Sequence, residues 1–133
     1  MSNQSFVNKL LQSFGHALEG FPLAFSDRNM KIHGLAAGVV IFAGWWFQIS
    51  KPEWLVVFLL IGAIWALEMV NSAIEELSNT VRDSLKLDRQ ATKKPRDLAA
   101  GAVLLMAIIS VICAVIIFLP HMVRPVLYGP PAY

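Results

Sequence analysis

At 133 residues the chain has room for one domain. Only 15% of residues are charged, 56% are hydrophobic and mean hydropathy is +0.59. This argues against an ordinary water-soluble domain, which carries about 25% charged residues. A net charge of +2 gives no case for nucleic acid binding, and the lone Cys113 excludes an internal disulfide and reads as a small hydrophobe.

The opening residues MSNQSFVNKLLQSFGH lack the apolar stretch and cleavage site of a signal peptide, so insertion is expected to depend on internal spans. Over about 5–25, Phe6, Leu10, Phe14, Ala17 and Phe21 fall at helical spacing. Lys9, Gln12, Ser13, His16 and Glu19 form the opposite stripe. This is an amphipathic helix, lying on the membrane surface or packed on a helix bundle.

Three apolar segments approach the roughly 20 residues that a helix needs to cross hydrocarbon. They run over about 32–49, 52–78 and 96–119. Pro52 and Pro95 suit the first turns of the second and third, where a missing N–H costs little. Pro120 is expected to end the third, and the tail PVLYGPPAY to be irregular. Trp45, Trp46 and Trp54 gather at the first connection like an interfacial belt. Lys and Arg fall nine on one side (1–32 and 79–96) and two on the other, Lys51 and Arg124. The positive-inside rule then puts the N-terminus and second loop in the cytoplasm and the C-terminus outside.

Glu68, Asn71 and Glu75 share one face of the second span, and Asn79 extends the stripe by a turn. An ionised group at membrane depth costs several kcal/mol, so two carboxylates there need a partner. That partner is a metal, a substrate hydroxyl or a base on a neighbouring helix; the other reading is polar glue between helices. Ser26, Asp27, Arg28 and Asn29 precede the first span, while Lys93, Lys94, Arg96 and Asp97 precede the third. Acids from two segments and bases from another suit a triphosphate bound through a divalent cation. Anchoring to anionic lipid also accounts for the basic loop.

The stretch ALEMVNSAIE resembles the E-x-x-N-[ST]-A-I-E signature of the bacterial diacylglycerol kinase and undecaprenol kinase family. RNMKIH, EWLVVFLLIG, RDLAAGAVLL and IIFLP extend the resemblance from Lys9 to Pro120, closer to the undecaprenol kinase branch. It implies an all-α integral membrane protein: a surface helix plus three transmembrane helices, a homotrimer with sites between protomers. It implies ATP and Mg²⁺, and a lipid alcohol phosphorylated at the cytoplasmic face of the bacterial cell membrane. Glu68 matches the catalytic base, Glu75 and Asp27 the metal-ligating acids, and Asn71 an amide near the transferring phosphate and lipid. Arg96 and Asp97 match a pair that contacts ATP. Lys9 stands near nucleotide and lipid, and His16 where an aromatic stacks on adenine or where a plain surface histidine sits. The chain departs from the pattern with Asp27 for Glu, Arg96 for Lys, Asn79 for an acid, and a longer second loop in which Lys93 or Lys94 takes over ATP contacts.

Two other classes compete. A small multidrug or ion transporter also places a Glu in a short bundle, though usually with four spans. A non-catalytic membrane scaffold predicts no penalty for removing Glu75.

Overall fold

A computed structural model describes residues 3–128, with side chains over 6–123. These residues form four helices: α1 (Asn3–Ala24), α2 (Arg28–Trp46), α3 (Lys51–Leu85) and α4 (Lys93–Tyr128). No strand occurs among them. α3 and α4 pack against each other most extensively, and α2 lies against α3.

α1 is helical as its periodicity predicts, but almost its whole length is exposed, including Phe6, Leu10, Phe14 and Phe21. It meets the remainder near its C-terminal end, where Ala24 is buried and Gly20 approaches Met69. Pro22 sits in the last turn. A tight connection follows: the Ser26 hydroxyl donates to the Leu23 carbonyl at 2.6 Å and the Asp27 N–H to that of Ala24 at 3.1 Å.

α2 is set back from the expected span, beginning at Arg28 and ending at Trp46. Its first turn therefore carries Arg28, Asn29 and Lys31, which shortens its apolar part. Of the described helices, α3 and α4 are long and apolar enough to cross a membrane. α2 ends through Gln48, whose φ of 52° is left-handed, and the Ile49 N–H returns to the Gly44 carbonyl at 3.1 Å. This closure satisfies carbonyls that a helix end leaves open. Ile49, Val57 and Ile117 form the small buried core beneath it.

α3 starts with a capping box. The Ser50 N–H and hydroxyl each donate to Glu53 Oε2 at 2.6 Å, and Pro52 occupies the first turn. Its end lies well beyond the expected 78. Asn79 and Arg82 stay in the helix, joined by a 3.1 Å hydrogen bond from Arg82 Nη1 to Asn79 Oδ1. Left-handed Lys86 stops the helix, with φ 51°. A turn built on Asp88, whose Oδ1 accepts the Ala91 N–H at 3.0 Å, leads to α4.

Pro95 stands in the first turn of α4, as its place in the sequence predicts. Pro120 does not end the helix, and the expectation of an irregular tail is corrected: the helix continues to Tyr128, and 129–133 lie outside the described residues. Proline removes an N–H that would bond the carbonyl four residues back, a loss that membrane helices tolerate when nearby groups supply partners. The carbonyl left open by Pro120 is that of Ile116, while the His121 ring nitrogen Nδ1 lies 2.8 Å from the neighbouring Ile117 carbonyl oxygen.

Candidate active site

One face of α3 and the α1–α2 connection enclose an open cleft of about 840 Å³. Glu68, Asn71, Glu75 and Asn79 all line it, as the helical spacing predicts, and Asp27 faces them from the connection. Glu68 is 2% exposed, one of the two most fully buried large side chains. It forms no ion pair among the described residues. Its carboxylate lines the cleft rather than pairing with a base, so its oxygens remain available there.

Asp27 is the N-cap of α2 with extended backbone, yet its carboxylate makes no capping hydrogen bond. Such a side chain ordinarily satisfies an N–H of the first turn. Its oxygens therefore remain available to the cleft.

A second polar pocket, of about 370 Å³, lies on the other side of Glu75. Arg89, Gln90, Lys93, Arg96 and Asp97 line it, and it shares Asn29, Asn71 and Glu75 with the cleft. Arg96 Nη2 donates to Glu75 Oε1 at 3.0 Å, joining α4 to α3. An acidic cleft and a basic pocket thus meet at a common wall.

Hard divalent cations take oxygen ligands, and Mg²⁺ is commonly held by one or two carboxylates plus substrate phosphates. No three of His, Cys, Asp and Glu converge among the described residues. Asp27 and Glu75, lining one cleft beside a basic pocket, fit a cation that brings phosphate ligands with it rather than one caged by protein alone.

Lys9 and His16 are not brought to either pocket of this single chain. Both are exposed on α1, and His16 Nδ1 lies 3.5 Å from Glu19 Oε2. Lys9 precedes the point where α1 meets the bundle by 15 residues, about 22 Å of helix. Conversely, Ser72 and Glu76 line the cleft although sequence reasoning passed over them. They flank the stripe, at the i+4 and i+8 positions from Glu68. Arg89 and Gln90 come from a turn with no periodicity to mark them.

The description "prokaryotic diacylglycerol kinase" belongs to a family model that matches residues 15–118. Undecaprenol kinase of Bacillus subtilis (strain 168) is 38% identical over 117 residues, covering 87% of this chain and 93% of the relative. Diacylglycerol kinase of Synechocystis is 35% identical over 113 residues, 84% of this chain but 63% of the relative. No solved structure gives a significant match.

Proposed function

The chain belongs to the prokaryotic diacylglycerol kinase family, and from that premise we propose that it transfers the γ-phosphoryl group of ATP to the primary alcohol of a membrane lipid. The observation that carries this reading is the common wall of the two pockets. Glu75 and Asn71 face both the cleft that holds Glu68 and Asp27 and the pocket that holds Arg96 and Asp97.

The lipid hydroxyl enters the acidic cleft and hydrogen-bonds to the Glu68 carboxylate. Its oxygen attacks the γ-phosphorus, the bond to the bridging oxygen breaks, ADP leaves, and Glu68 takes the proton. Asp27 and Glu75 would hold Mg²⁺, which neutralises phosphate charge when bound. Arg96 and its basic neighbours orient the triphosphate through paired N–H donors. Asn71 positions the transferring group, and Asp97 orients the nucleotide from the far wall. Alignment and charge neutralisation supply most of the rate in such transfers.

Undecaprenol is the favoured acceptor over diacylglycerol, because the relative matched over nearly its whole length is an undecaprenol kinase. The reaction takes place at the cytoplasmic face, which the Lys and Arg asymmetry supports. α2 crosses as a third span, helped by its neighbours on α3. In a homotrimer the exposed α1 lays Lys9 and His16 over a neighbouring protomer's site. Family membership favours this reading over a transporter or a scaffold.

The test is transfer of labelled phosphate from ATP to a panel of lipid alcohols, with and without Mg²⁺. Labelled undecaprenyl phosphate that needs both Mg²⁺ and Glu68 is the expected result. Transfer to no lipid alcohol would refute the proposal.

A further inference from the structure

Glu75 and Arg96 are unequal partners. The Arg96 side chain is 19% exposed and that of Glu75 51%. Arg96 lines only the basic pocket, whereas Glu75 lines both cavities. The guanidinium thus meets the carboxylate from the basic pocket, while Glu75 also lines the cleft that Asp27 lines. A guanidinium at 3.0 Å already occupies Glu75 Oε1 with a charge-assisted hydrogen bond. A divalent ion arriving alone must displace it or sit beside a like charge, and both weaken binding.

A triphosphate changes this balance. Its oxygens compete for Arg96 with the paired geometry that guanidinium favours, and Lys93 in the same pocket adds attraction. Each contact that draws Arg96 away returns Glu75 to the cleft.

We propose that the Arg96–Glu75 pair is a latch that makes divalent-cation binding conditional on the triphosphate. Arg96 passes from carboxylate to phosphate, and the cation takes its place on Glu75. The inference rests on the kinase reading of this site. Coupling of this kind is reciprocal, so the cation tightens nucleotide binding by the same factor.

The test uses the full chain in nanodiscs, with Mn²⁺ binding followed by electron paramagnetic resonance and no turnover required. Wild type should bind Mn²⁺ weakly alone and at least about 10-fold more tightly with a non-hydrolysable ATP analogue. Arg96→Gln should raise nucleotide-free Mn²⁺ affinity about 5-fold or more and remove most of that coupling. Lys93→Gln removes the same charge from the same pocket without touching the pair. It should weaken analogue binding and raise nucleotide-free Mn²⁺ affinity less than Arg96→Gln does.

An unchanged Mn²⁺ affinity in Arg96→Gln, or an equal rise in Lys93→Gln, overturns the latch. If Arg96→Gln does not fold, Arg96→Lys should show the same rise at smaller size, and no rise there overturns it too. Failure of the kinase reading looks different: wild type and Glu75→Gln would then bind Mn²⁺ and the analogue alike.

Discussion

Gly44 and Trp54 meet so closely that a methyl group at Gly44 would lie 2.9 Å from indole Cη2 and 3.1 Å from Ile49 Cδ1. The contact seats the end of α2 on the start of α3, beside the Ile49–Val57–Ile117 core. Replacing Gly44 with Ala forces the indole or the helix to shift, an overpacking cost of about 1–3 kcal/mol. Thermal unfolding in detergent should show a lower midpoint. Gly38→Ala, with nothing within 4 Å of the added carbon, should leave the midpoint unchanged or raise it.

Glu68→Gln keeps the size of the side chain and removes its basicity. It is expected to bind nucleotide like wild type while kcat falls about 10²- to 10⁴-fold, the range of general-base catalysis. Lipid phosphorylation assayed beside nucleotide affinity checks this. Unchanged turnover would remove Glu68 from the reaction.

Asp27→Asn separates capping from ligation. The carboxylate makes no capping bond, so helix stability should hold within about 0.5 kcal/mol. The Mg²⁺ concentration for half-maximal activity should rise about 10-fold, since a charged ligand is lost. A fall in the unfolding midpoint with no change in Mg²⁺ demand would reverse the assignment.

His121→Ala removes the ring nitrogen from the Ile117 carbonyl. The cost should be about 1 kcal/mol, the usual worth of a hydrogen bond. In a Pro120→Ala background the restored N–H bonds to Ile116, a different carbonyl, so the same substitution should cost about the same. Unfolding of the four chains as a double-mutant cycle checks this, and a coupling above about 0.5 kcal/mol would overturn it.

The sequence made the active face legible because Glu68, Asn71 and Glu75 obey helical spacing, and a helix converts spacing directly into a shared face. Asp27 stands out in the sequence as a cytoplasmic-side acid and the resemblance implies its metal role, but its place opposite that face depends on a three-residue connection. A base on a neighbouring helix is among the partners the sequence suggests for these carboxylates, and Arg96 of α4 is that base for Glu75, though a contact 21 residues apart carries no local signal of which base it is. Two boundaries differ from the sequence reading: polar Asn79–Asp83 and Pro120 read as helix ends, yet α3 and α4 continue through them. Local propensity is a weak guide where a helix is already propagating. Lys9 and His16 lie on a helix whose docking is weakly specified within one chain, so their registration with the site could not be read from spacing.

The straight run of α3 also acts as a ruler. Glu68 follows Lys51 by 17 residues, about 26 Å of rise, and Glu75 stands about 10 Å further on. Hydrocarbon is about 30 Å thick. In the proposed reaction, with the capped start of α3 at one boundary, Glu68 would lie near the depth of a lipid hydroxyl and Glu75 nearer the water. On that reading the length of α3 would set the depth at which acceptor and donor meet, and a bilayer of different thickness would shift that depth without altering any residue of the site.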